Sequence, residues 1–182
     1  MDTELYRKET ARGIGAALAS VKKEDIDEVV GAVQNSPHVF FSGAGRSFLM
    51  MQAVAMAFMQ VGVTAYVTGG VTTPAIKKGD LLIAASCSGE TQSVILFVEQ
   101  AKKMGVKVVL ITACPDSTLG KIADIVMKME AESEEGSIQK TWLTDNRFEH
   151  SIVPLGDCMM EYIARNQNAG KNIIKEHHAN ME

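Results

Sequence analysis

The segment Ser86-Cys87-Ser88-Gly89-Glu90-Thr91 gathers three hydroxyls and a glycine in six residues. The apolar run Leu81-Leu82-Ile83-Ala84-Ala85 before it reads as a buried strand, and Val94-Ile95-Leu96-Phe97-Val98 after it falls in a helix. A strand-to-helix turn of this kind aims backbone N–H groups and the positive end of a helix dipole at one point, which suits an anion, phosphate above all. The hydroxyls add donors without adding charge. Such a turn holds phosphate without a metal. A second turn lies upstream, where Gly43-Ala44-Gly45-Arg46-Ser47 follows the strand-like His38-Val39-Phe40-Phe41-Ser42 and precedes an apolar helix from about Phe48 to Val61.

Two nucleotide motifs are excluded. The upstream turn starts like a G-x-G-x-x-G fingerprint, but its third glycine position is Phe48, and the next strand ends in Thr68-Gly69-Gly70 without an acid for a ribose hydroxyl. No G-x-x-x-x-G-K-[ST] occurs. The plainer reading of Ser47, Ser88 and Thr91 is that they cap helices, which uses the same N–H groups as an anion would. Arg46 fits a solvated charge or subunit ion pair as well as an anion ligand. Cys87 reads as a small turn residue.

The elements that position these turns alternate. Amphipathic helices over Thr3–Ala19 and Glu24–Val33 lead in. Strands follow near His38–Ser42, Thr64–Val67, Leu81–Ser86, Val106–Thr112 and Asp124–Lys128. The pattern predicts an α/β three-layer sandwich, a five-stranded parallel sheet with helices on both faces. Ligands then bind beyond the carboxyl ends of the strands, where both turns lie. One domain over 1–182 is expected: helices over 1–36, a parallel core over 37–130, an exposed acidic loop over 131–153 and two short helices over 154–182, near Leu155–Asn166 and Lys171–Ala179.

Composition agrees. The chain has 182 residues, 46% apolar and 22% charged, with net charge −4. This suits a single soluble domain. It gives no basic footprint for nucleic acid. No apolar run is long enough to cross a bilayer, and the first residues lack a signal layout. Cys87, Cys114 and Cys158 show no metal spacing and make an odd set, as in a reduced cytoplasmic protein. The four histidines offer no metal site, and no cofactor is implied. The Phe48–Val61 helix, with Met50, Met51, Met56 and Met59, is apolar nearly all round and asks for cover on every side, as an oligomer interface would give.

The two turns resemble the sugar isomerase (SIS) domain family of phosphosugar isomerases and phosphosugar-binding proteins, and more narrowly the 6-phospho-3-hexuloisomerases. That subfamily shows G-A-G-R-S and S-G-S-G-E-T turns, a T-x-x-P-D-S-x-L-x-K-I-A-D stretch, a P-L-G segment and a terminal R-H-A-N-L-E. Here Thr112 to Asp124 reads T-A-C-P-D-S-T-L-G-K-I-A-D, Pro154-Leu155-Gly156 is present, and the chain ends His177-His178-Ala179-Asn180-Met181-Glu182. The match runs from about residue 3 to the end.

The resemblance implies a flavodoxin-like SIS fold, an oligomer (tetramer or dimer) and a phosphorylated sugar as ligand. Ser47, Ser86, Ser88 and Thr91 would hold the phosphate, with Gly45, Arg46, Cys87 and Gly89 shaping the turns or touching substrate. Moving a carbonyl between adjacent carbons needs a base at the carbon-bound proton and a group serving the oxygens. The family's histidine falls on His178, and His177 takes its usual arginine position. The family acid, P-L-G-x-x-x-E, would fall on Met160. Glu161 stands one residue later, a rotation of about 100° on a helix. Glu161 is the provisional base, with Glu90, Glu149 and His150 as other candidates. The helix after P-L-G also looks about three turns shorter than the family's. Two readings remain: an isomerase acting on a hex-3-ulose 6-phosphate or another phosphosugar, and a phosphosugar sensor without turnover. Specificity is expected from loops such as Thr68 to Pro74.

Overall fold

Residues 3–130, 146–166 and 172–181 are described by a computed structural model. Helices α1 (Thr3–Ser20) and α2 (Lys23–Gln34) lead into β1 (Val39–Ser42), α3 (Gly45–Gln60), β2 (Ala65–Val67) and β3 (Leu81–Ala85). Then come α4 (Gln92–Lys103), β4 (Lys107–Thr112), α5 (Thr118–Ile122), β5 (Ile125–Lys128), α6 (Arg147–Asn166) and α7 (Ile173–His177). The strands form one parallel sheet in the order β2-β1-β3-β4-β5. The expected α/β three-layer architecture is observed.

Strand side chains alternate between two cores, as a period of two requires. Val39, Phe41, Leu81, Ile83, Ala85, Val109 and Ile111 face α1, α2, α3 and α6. Phe40, Leu82, Ala84, Val108 and Leu110 face α4 and α5. Both faces are covered, so the strands read as continuous apolar runs. The strand order reverses between β1 and β3, and this switch point is where a ligand crevice opens in such sheets.

Two helix boundaries differ from expectation. Helix α3 begins at Gly45, so its first turn contains Arg46 and Ser47. Helix α6 begins at Arg147, eight residues before the expected Leu155. Residues 147–153 are therefore helix and not the end of an acidic loop; residues 131–145 of that loop lie outside the described residues. Pro154 is an interior residue of α6. The apolar spacing Phe148, Ile152, Leu155, Met159, Ile163 runs straight through it, and all five are fully buried. That burial offsets the backbone hydrogen bond the proline cannot donate.

The neighbours of α3 and α6 fix their relative height. A Cβ on Gly156 would lie 2.6 Å from Val54 Cγ2, so only glycine lets the two helices approach this closely. Helix α7 lies at the opposite end of α3: Gly62, just past the α3 C-terminus, meets Ile173 and His177. The self-cover of α3 is extensive but incomplete. Met51, Val54 and Phe58 are buried within the chain, whereas Leu49 and Met56 remain 59% and 51% exposed.

Candidate active site

A cavity of about 900 Å³ opens at the carboxyl ends of β1, β3, β4 and β5. Its lining includes Ala44, Gly45 and Ser47 from the first turn, and Ala85, Ser86, Cys87, Ser88 and Thr91 from the second. Ala113 and Cys114 follow β4, Lys128 and Glu130 close β5, and Glu149 comes from the first turn of α6. The two hydroxyl turns thus share one space.

Neither helix start is closed by a side chain. Ala44 caps α3 and Thr91 caps α4, each without a side-chain hydrogen bond to the helix. The hydroxyls are used differently from the capping they resemble in sequence. Ser86 Oγ and Thr91 Oγ1 bond to each other at 2.9 Å, and Ser86 Oγ also accepts from Gly89 N at 3.2 Å. Ser88 Oγ accepts from Glu90 N at 3.2 Å. First-turn N–H groups have no partner inside their own helix. Two such helix starts therefore meet one cavity with their positive ends available to an anion.

A second segment braces the phosphate-type turn from behind. Gly89 takes φ +66 and its carbonyl accepts from Leu119 N at 3.1 Å. A Cβ at Gly89 would stand 1.9 Å from Ser117 Oγ. Ser117 caps α5 by accepting from Gly120 N, and Glu90 Oε1 accepts from Thr118 N at 2.7 Å. That bond holds the Glu90 carboxyl below its ordinary range. The T-A-C-P-D-S-T-L-G stretch is thus the buttress of the hydroxyl turn, and Glu90 is a structural acid of that buttress, outside the cavity lining.

Of the residues singled out in sequence, Ser47, Ser86, Ser88, Thr91, Gly45 and Cys87 line the cavity, and Gly89 forms its turn. Arg46 is exposed and outside the lining. Glu161 is also elsewhere: it lies more than three turns along α6 from Glu149 and pairs with Arg165 at 2.7 Å, 54% exposed. His178 is exposed just after α7, at the far end of α3 from Ser47. His150 is exposed on α6. Thr68, Gly70 and Pro74 line a separate cavity of about 310 Å³ with Phe97 and are outside the lining of the main one.

Glu149, expected as an alternative base in the loop before Pro154, is the one of the four candidates that lines the cavity. Its Oε2 is buried without a hydrogen-bond partner among the described residues. The signal was present in the helical spacing from Phe148 to Ile163, which continues through Pro154 and puts Glu149 in the first turn. Pro154, an ordinary helix-start signal, is interior to that helix.

Such a cavity defines a class of protein. A model of the SIS domain matches residues 32–144, and the chain belongs to the SIS domain family. The 3-hexulose-6-phosphate isomerase of Bacillus subtilis (strain 168) is 30% identical over 185 aligned positions spanning all of both chains. The enzyme of the same name from Mycobacterium gastri is 33% identical over 171 positions, 93% of this chain and 86% of that one. A solved structure from Methanococcus jannaschii, said to infer a 3-hexulose-6-phosphate isomerase function, superposes with TM-score 0.82 at 23% identity, over 95% of this chain and 97% of that one. That last likeness is one of fold.

Proposed function

We propose that this chain is a phosphosugar isomerase interconverting a hex-3-ulose 6-phosphate and fructose 6-phosphate through an enediol. The observation that carries this reading is the unpartnered, buried carboxylate oxygen of Glu149 in the same cavity as two uncapped helix starts. The helix starts and the Ser47, Ser86, Ser88 and Thr91 hydroxyls suit a phosphate dianion. A binding module for phosphosugars has no need of a buried acid beside them. The names of the two long-matching relatives favour turnover as well.

In this reading Glu149 takes the proton from C2 of the open-chain hexulose. The C2–H electron pair forms the C2=C3 double bond, and the C3 carbonyl oxygen receives a proton to complete the enediol. Loss of the O2 proton then makes the C2 carbonyl, and Glu149 returns its proton to C3. Composition is unchanged and no cofactor enters. Held in one place by the phosphate, the two carbons face the same base throughout.

His178 would serve the sugar oxygens, as the family resemblance implies, but in a second copy. Helix α3 has 16 residues, so its ends are about 24 Å apart. Ser47 lies at one end and the α7 segment packs at the other. A homo-oligomer, tetramer or dimer, brings one chain's tail to another's cavity, and exposed Leu49 and Met56 on α3 suit such a contact. Cys87, Cys114 and Cys158 form no disulfide, which suits the cytoplasm.

An isomerase assay with arabino-hex-3-ulose 6-phosphate, beside calorimetric binding of fructose 6-phosphate, tests the reading. Turnover is expected in the native chain. Glu149→Gln and His178→Ala are each expected to be inactive alone, and unfolding and refolding them together should restore activity, because mixed oligomers then hold an intact site. Binding without turnover would make the chain a sensor, and neither would remove the phosphate reading.

A further inference from the structure

The lining of the cavity is unbalanced in charge. Among its described residues Lys128 is the one cation, beside the carboxylates of Glu130 and Glu149. Lys128 closes β5 and is in register with Thr112 on β4. The phosphate turn follows β3, two strands away, which is about 10 Å across a sheet. With its phosphate at β3, an open-chain hex-3-ulose 6-phosphate would extend C3 to C1 toward β5, and the four-carbon lysine stem would reach back to the C3 oxygen.

Lys128 is held, but loosely. Its Nζ lies 3.4 Å from Glu130 Oε1, and the two side chains are 52% and 61% exposed. Ion pairs of this length and exposure contribute little and exchange readily. Glu130 itself is anchored by its backbone, whose N–H donates to Ser20 Oγ at 2.9 Å at the end of α1. The lysine has a flexible four-carbon stem and three donors to move with.

We infer that Lys128 is a catalytic residue of the isomerisation: its ammonium leaves Glu130 and donates to the oxygen that becomes negative as the enediolate forms. This rests on the isomerase reading. When Glu149 removes the carbon-bound proton, its own negative charge is neutralised and reappears on the former carbonyl oxygen. An ammonium there is favoured more in the transition state than with the uncharged carbonyl, which is the condition for raising kcat. The ammonium stays protonated and no bond to the lysine forms. A role on the phosphate is disfavoured by the two-strand separation and by the helix starts already at β1 and β3.

Steady-state kinetics of Lys128→Met and Lys128→Arg test the assignment, with calorimetric binding of fructose 6-phosphate and thermal unfolding alongside. Lys128→Met is expected to lower kcat about 100-fold, the cost of removing one preorganised donor to a developing oxyanion. KM, fructose 6-phosphate affinity and the unfolding temperature should stay close to native. Lys128→Arg should recover part of kcat, since it restores the charge. Native kcat in Lys128→Met would overturn the assignment, and so would a loss confined to KM and binding, which would make Lys128 a phosphate ligand. If the native chain binds fructose 6-phosphate but turns over no hexulose phosphate, the isomerase reading itself fails and takes this inference with it.

Discussion

The rim formed by β1, β3 and their following turns contrasts with the C-terminal segment of α6 and α7. At the rim, local backbone geometry places the polar groups: a strand ends, a glycine turns, a helix begins, and the hydroxyls fall within six residues of the strand end. In the C-terminal segment, position depends on where a 20-residue helix starts and on what it packs against. A one-residue error in that start rotates every side chain by about 100°. The groups proposed to bind are thus fixed by short-range chemistry, and those proposed to react are fixed by long-range packing.

Glu149→Gln tests the reacting side of this contrast most sharply. It keeps shape and polarity while removing the base, and should lower kcat by about a thousandfold with fructose 6-phosphate binding retained. Rate–pH profiles and calorimetry would separate that from a binding defect. Ser86→Ala acts on the binding side. It removes the bonds to Thr91 Oγ1 and Gly89 N, and should raise KM about tenfold with a smaller change in kcat. A larger loss in kcat than in KM would blur the division between rim and helix.

The buttress gives a smaller effect with a defined sign. Glu90's carboxyl is held below its ordinary range by the Thr118 N–H, so its contribution to stability is present at neutral pH. That contribution is lost as pH falls through the depressed value. Glu90→Gln should therefore unfold at nearly the native temperature in acid but somewhat lower than native at pH 7. Smallest of all is Glu161→Gln. Its partner Arg165 is one turn away on an exposed face, so kcat should stay native and stability should change by about 0.3–0.5 kcal/mol. A large kcat loss there would return the base to Glu161.

Much of the rim was legible in sequence. Leu81 to Ala85 is an uninterrupted apolar run, and a strand buried on both faces has to look like that. The meeting of both hydroxyl turns at one rim was legible, but not the fact that Thr91 bonds Ser86 instead of capping α4. That choice depends on the three-dimensional path of the turn. Glu149 was legible as a candidate but was placed in a loop, because Pro154 is an ordinary helix-start signal, and here the burial of Phe148, Ile152 and Leu155 overrides it. The distance of His178 from Ser47 was also out of reach, because it depends on which end of α3 receives α7.

The contact between Gly156 and Val54 turns two helices into a ruler. Ser47 lies seven residues before Val54, and Glu149 lies seven before Gly156. Both cavity residues therefore sit about 10 Å above the same crossing, at matched height. In the proposed isomerase the gap from phosphate to base is then set by how closely α3 and α6 touch, outside the lining of the cavity. A side chain at position 156 would widen that gap without altering any residue of the cavity. With Glu149 as the proposed base, such a change should therefore act on which carbon loses its proton while every lining side chain stays the same.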